Sequence, residues 1–243
     1  NYSALFQTNY IFKAGIISVT RTILQTIFSV FCTAMLAYAL SRKEYPLRRV
    51  LTTILVISMY VNAGLIPGYM LIKRLGMLNT YAVYIVPNLV DIFNFILIRT
   101  YINGLPDSFV ESARIDGANE FKIFTSIIMP LIVPSIAMIS LFVAVGAWNS
   151  WFDTYLYTSS KKNLHSLQYV LMSYLQASQS QSKSASDAGS AAIAASSGAA
   201  AAQVTPIAIR SSITMIATVP ILIVYPFVQK YFVVGMTIGG VKE

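Results

Sequence analysis

The sequence predicts an all-α, polytopic transmembrane helical bundle. Of 243 residues, 56% are hydrophobic and only 11% charged, and the mean hydropathy is +0.65. An ordinary soluble domain carries about 25% charged residues, so there is too little polar surface here to solvate a water-facing globule. Five apolar stretches, near 22–40, 50–72, 81–98, 127–147 and 211–229, approach the roughly 20 residues that a helix needs to cross a bilayer. They are too long and too uniformly apolar for barrel strands, and a spanning helix satisfies its own backbone hydrogen bonds.

The net charge of +8 belongs to this reading. Excess Lys and Arg mark cytoplasmic loops and headgroup contacts, and no aromatic-basic interleaving suggests nucleic acid. The single cysteine, Cys32, cannot form an intrachain disulfide and reads as a small buried hydrophobe. Asn1 opens a polar stretch without a basic n-region, so no cleavable signal is expected, and the missing initiator Met suggests that the true N-terminus lies upstream.

The first connection fixes the orientation. Ser41-Arg42-Lys43-Glu44-Tyr45-Pro46-Leu47-Arg48-Arg49 holds four cations in a short loop, which places it in the cytoplasm. Alternation then puts 73–80 outside, 99–126 inside, 148–210 outside and the tail 230–243 inside. Five spans leave residue 1 outside, and a sixth helix before Asn1 is expected. Prolines at 67, 87, 130, 134, 220 and 226 are tolerated as kinks in membrane helices.

The outer segment begins with Trp148, Trp151, Phe152, Tyr155 and Tyr157, rings of the kind that anchor at headgroup level. Leu164, Leu167, Val170, Leu171, Tyr174 and Leu175 follow at helical spacing and predict a short amphipathic helix. Ala177 to Gln203 is a low-complexity Ser/Ala/Gln stretch that buries little.

Few residues carry chemistry. Asp91 lies within a predicted span, where an ionised group costs about 2.5–3.5 kcal/mol or more to insert. It either lines a path with Asn88 and Asn94 or hydrogen-bonds a neighbouring helix. Asn62 is a second candidate of the same kind. His165, the single histidine, has no partner at ligand spacing and is expected on a surface loop, which argues against a metal site or a catalytic triad.

The inner segment carries the informative pattern: Glu111-Ser112-Ala113, three residues, Gly117, nine residues, then Ile127-Ile128-Met129-Pro130. Ser108 and Glu111 have capping-box spacing, Gly117 permits a tight turn, Asn119 can cap a second helix, and Pro130 starts or kinks the next span. A helix-turn-helix over 104–126 at the cytoplasmic surface follows.

This pattern resembles the EAA loop of ABC importer permeases, with Ser112 in place of the first Ala and Met129 in place of Leu. Ala113-Arg114-Ile115-Asp116-Gly117-Ala118 looks like the version found in carbohydrate permeases. The tail Gly235-Met236-Thr237-Ile238-Gly239-Gly240-Val241-Lys242-Glu243 resembles that of the maltose-type second permease. The likeness covers roughly residues 17–243 and extends to permeases for complex oligosaccharides of the pectin- and alginate-derived type.

What the resemblance implies is specific. The architecture would be that of a type I (MetI-like) ABC importer permease, with 104–126 a coupling loop that docks on an ATPase through Glu111, Ser112, Ala113, Asp116, Gly117 and Ala118. Gly235, Gly239 and Gly240 would carry the tail between two ATPase subunits. Partners would be a second permease subunit, those two ATPases and an extracytoplasmic solute-binding protein, which Tyr155, Tyr157 and Tyr174 would meet. No Walker A pattern occurs in the chain, so ATP and Mg would be held by the partner ATPases, with no cofactor on this chain and no covalent chemistry. Two alternatives stay open: an ABC importer of an amino acid, polyamine or phosphate, and an ion-coupled secondary transporter or channel using Asp91.

Overall fold

The computed structural model describes residues 9–61 and 63–176 together with positions 215, 218 and 222. Every regular element among the described residues is helical. The first helix, α1, runs Asn9–Ser41. It is longer than the expected 22–40 because Ile11 and Ala14 pack against Trp148, Leu167, Val170 and Leu171. Lys13, Thr20, Arg21 and Thr22 interrupt the apolar run and conceal this extension.

The other predicted spans are not single helices. The stretch 50–72 divides into α2 (Arg48–Tyr60) and α3 (Leu65–Arg74), separated at Gly64, whose φ of +86° favours glycine. Pro67 falls in the first turn of α3, where its missing N–H costs no helical bond. The stretch 81–98 begins as 3-10 turns at Tyr81–Tyr84 and Val86–Asn88, then bends by 47° into α4 (Ile92–Asn103). After α5 (Ser108–Ile115), the helical run α6 (Glu120–Leu131) meets α7 (Val133–Asn149) at 84°.

That last bend has a visible cause. Pro134 cannot donate to the carbonyl of residue 130, and Pro130 cannot donate to that of residue 126. The second gap coincides with a π-turn over Phe124–Ile128, the usual accommodation of a lost ladder bond. By length and composition α1 crosses a membrane alone, and each bent pair adds one span when counted as a unit. The fifth predicted span, 211–229, lies outside the described residues apart from positions 215, 218 and 222.

α1 packs on α4 and α7. The main core joins Val30, Ala34 and Ala37 of α1 with Phe95, Ile98 and Ile102 of α4, Ile123, Phe124 and Ile128 of α6, and Ile139 of α7. The outward face of α1 is apolar, with Phe12, Ile23, Ile27 and Phe28 exposed, as lipid requires. Its inward face also carries a polar stripe: Ser18, Arg21, Gln25, Ser29 and Thr33 are buried at helical spacing.

Past α7, α8 (Phe152–Tyr157) and helical residues 167–176 form the cap at the N-terminal end of α1. His165 is buried here at 5% exposure. Its Nδ1 meets the Tyr10 hydroxyl and its Nε2 the Ser159 carbonyl, so the expected surface position is corrected. Trp148 belongs to the same core and does not anchor in the headgroups. Cys32 is half-buried.

Candidate coupling surface and translocation path

The predicted inner segments meet in space. Lys43 pairs with Asp107 at 2.6 Å, and Arg114 pairs with Glu44 at 2.6 Å and with Glu120 at 2.8 Å. Tyr38 Oη donates to Glu120 Oε2 at 2.6 Å. The loop 41–49 and the segment 104–126 therefore share one side of the bundle. The segments assigned outside share the other: Tyr157 O accepts from Asn79 N at 3.0 Å, and Ser18 near the start of α1 accepts from Leu167 N at 2.7 Å.

In α5 the motif separates into two sets. Val110 and Ala113 are buried against the core, whereas Glu111 and Ser112 are exposed. Ala118 N donates to Ala113 O at 2.9 Å and Gly117 N to Arg114 O at 3.0 Å, the bond pair of a Schellman helix end. Gly117 stands at φ +77° and supplies the left-handed residue which that ending needs, while Ala118 packs back on the core. Ala113, Gly117 and Ala118 thus build the turn. Glu111, Ser112 and Asp116 face outward from it.

Two capping expectations divide. Asn119 caps as predicted, accepting from Lys122 N at 2.8 Å. The Ser108/Glu111 capping box does not form: Ser108 is the first helical residue, and Asp107 precedes it without a side-chain cap bond. The Asp107 carboxylate is drawn instead to Lys43, whose hydrogen bond holds it below the ordinary carboxylate range. Glu44 is lowered likewise by its bond to Arg114.

Sequence reading missed the apolar part of this surface. Ile115, Phe121 and Phe109 are exposed at 86%, 62% and 46%, in the same segment as exposed Glu111.

The second site is a polar cavity of about 440 Å³ between α1, α4, α7 and the 3-10 turns. Asn88, Asp91 and Asn94 all line it. Asp91 is corrected in one respect: it is not inside a helix but caps the N-terminus of α4, accepting from Asn94 N at 2.8 Å. The break after Pro87 is what frees it. Asn62 lies outside the described residues, as do Gly235, Gly239 and Gly240.

Arg21, Gln25, Ser29, Ser150 and Asp153 complete the wall, and none of them was singled out from sequence. The polar spacing along α1 could have revealed the first three. Arg21 is 1% exposed. It is held by Asp153 at 3.0 Å, by Ala147 O at 2.8 Å and against the Tyr84 ring at 4.6 Å. Its Nε and the Gln25 Oε1 are buried without a partner among the described residues. Arg21 lies 20 residues before Ser41, about 30 Å along a helix, which is the thickness of the hydrocarbon core. The cavity therefore lies toward the end of α1 remote from Ser41.

Of the three outer tyrosines, Tyr155 and Tyr174 are exposed at 55% and 37%. Tyr157 is half-buried and stacks on Tyr69, with centroids 6.2 Å apart, so it is less available to a partner than the sequence suggested.

Residues 15–238 match the family described as binding-protein-dependent transport system inner membrane component. The chain belongs to this family. It is a multi-pass permease subunit of an ABC transporter in the inner membrane and not an enzyme, which sets aside the secondary transporter or channel. The polygalacturonan/rhamnogalacturonan transport system permease protein YtcP of Bacillus subtilis (strain 168) is 35% identical over 241 residues, covering 99% of this chain and 80% of that one. The arabinooligosaccharides transport system permease protein AraQ of the same organism is 28% identical over 245 residues, covering 100% and 78%. The crystal structure of a bacterial ABC transporter involved in the import of the acidic polysaccharide alginate superposes with TM-score 0.79 at 27% identity, covering 95% of this chain and 78% of that one. The described helices therefore have the all-helical ABC importer permease fold.

Proposed function

We propose that this chain forms one wall of the membrane path through which an oligosaccharide enters the cell, moved by alternating access that partner ATPase subunits drive. The observation that carries the cargo is the match over nearly the whole chain to permeases named for polygalacturonan/rhamnogalacturonan and for arabinooligosaccharides. The cavity suits such a cargo. Gln25, Ser29, Asn88, Asn94 and Ser150 present amides and hydroxyls, which exchange hydrogen bonds with sugar hydroxyls in either direction. Asp91 adds an acceptor, and the Arg21–Asp153 pair holds the outer end of the wall.

Glu111, Ser112 and Asp116, with exposed Ile115 and Phe121, meet the ATPase, while Ala113, Gly117 and Ala118 shape the turn that presents them. The tail glycines Gly235, Gly239 and Gly240 enter the cleft between two ATPases, which hold ATP and Mg. A second permease supplies the facing wall of the path. Tyr155 and Tyr174 contact the extracytoplasmic binding protein, since tyrosine joins apolar area to a hydrogen-bonding tip.

Competition for uptake tests the cargo. In vesicles containing the assembled transporter, pectin-derived oligosaccharides should inhibit uptake of a labelled arabino- or galacturono-oligosaccharide, and amino acids, polyamines and phosphate should not. Gln25→Leu should raise the half-saturating concentration by about tenfold, one lost hydrogen bond at a buried site, with little change in ATP turnover. Photocrosslinkers at 155 and 174 should capture the binding protein, and one at 157 should capture less. Absence of capture from 155 and 174 with transport intact would remove the docking role.

A further inference from the structure

The cytoplasmic end of the bundle holds another concavity, distinct from the polar path and from the exposed face of α5. About 420 Å³ lies between the end of α1, the start of α2 and the end of α4. Its charged lining is Arg42, Lys43, Arg48, Arg49, Arg99 and Asp107, five cations and one anion. The anion is already bound by Lys43 at 2.6 Å. Among the described residues, no carboxylate pairs with Arg42, Arg48, Arg49 or Arg99.

Topology alone does not account for this arrangement. A cytoplasmic loop needs cations in the loop, but Arg99 comes from α4, and its Nε is held by the Leu40 carbonyl at 3.2 Å. Arg42 is held over the Tyr38 ring at 4.8 Å. Arg48 and Arg49 occupy the first two positions of α2, the helix end where positive charge is unfavourable, and no side chain caps that end. Cations gathered from three elements repel one another, and an anion between them removes that cost.

The depth and the neighbouring surface indicate which anion. Ser41 ends the long apolar helix α1 and Asn103 ends α4, so the pocket lies where both helices leave the hydrocarbon. From its rim α2 rises with no buried residue, and Val50, Ile54 and Ile57 are exposed along it. We propose that the pocket formed by Arg42, Arg48, Arg49 and Arg99 binds the phosphate of an anionic phospholipid, whose acyl chains run along the exposed face of α2. Basic pockets between helices at the cytoplasmic face are suited to such headgroups.

Native mass spectrometry of the assembled transporter, exchanged between phosphatidylcholine and phosphatidylglycerol, tests the site. The wild type should retain phosphatidylglycerol selectively. The triple variant R48Q/R49Q/R99Q should bind it about a hundredfold more weakly, and R48K/R49K/R99K should keep most of the selectivity. Arg49→Gln alone, at an exposed position, should weaken retention about fivefold and serves if the triple variant does not assemble. Inorganic phosphate should not substitute for the lipid. Equal retention of the two lipids, unchanged retention by Arg49→Gln, full occupancy by inorganic phosphate alone, or a crosslink from position 49 to a partner subunit that survives delipidation would each overturn the proposal.

Discussion

Asp153→Ala should sharply reduce the amount of folded, assembled subunit. It leaves Arg21, 1% exposed, without the carboxylate that holds it at 3.0 Å. Removing one partner of a buried ion pair costs about 3–5 kcal/mol, because an uncompensated charge stays behind. The Ala147 carbonyl and the Tyr84 ring remain, but neither neutralises the charge. The damage should spread through Tyr84, whose hydroxyl is tied to Thr154, Thr158 and Leu164 O. The double variant Arg21→Met/Asp153→Leu should recover much of the yield, since well-packed apolar groups often replace a buried pair without loss. Thermal unfolding in detergent measures both. Wild-type stability of Asp153→Ala would mean that the pair contributes nothing.

Changes on the exposed face of the coupling turn should act in the opposite way, leaving the subunit intact and abolishing its work. A Cβ at Gly117 would meet nothing within 4 Å among the described residues, so Gly117→Ala should cost only about 1 kcal/mol for the left-handed backbone. Gly117→Trp projects a ring into the space that an ATPase would fill. Together with Glu111→Arg, which reverses an exposed charge, it should lower uptake and stimulated ATP hydrolysis about thirtyfold or more, the size of an interface hot spot. Membrane insertion should be unchanged. Gly117→Ala is the control that separates backbone strain from lost docking. If the tryptophan variant transports like the wild type, this face does not couple.

How much of this was legible in the sequence depends on the kind of signal. Composition and apolar runs disclosed a helical membrane protein, since lipid demands both. That the loop 41–49 and the segment 104–126 share one side was also legible, since Lys43, Glu44, Asp107 and Arg114 bring them together as alternation required. Helix continuity was not legible. Pro87, Pro130 and Pro134 announced themselves, but hydropathy averages over a bend, and Gly64 gave no sign that its backbone would be left-handed. Asp91 was singled out for its charge and belongs to the polar cavity, yet its position as a cap depends on a break that hydropathy does not see. Arg21 was overlooked because its carboxylate is 132 residues away, beyond any local pattern. In the turn at 108–118, spacing grouped the residues without distinguishing which pack inward. Ala113 and Ala118 face the core while Glu111 faces water, a division set by packing against Ile123 and Phe124.

The central claim is that this chain lines an oligosaccharide path powered from outside itself. Proteoliposomes holding the chain with its partner permease, ATPases and binding protein should accumulate a labelled oligosaccharide when ATP is supplied on the ATPase side. Omitting the ATPases, or introducing Gly117→Trp, should abolish accumulation. Accumulation that proceeds without ATP, driven by an ion gradient across liposomes containing this chain alone, would contradict the account.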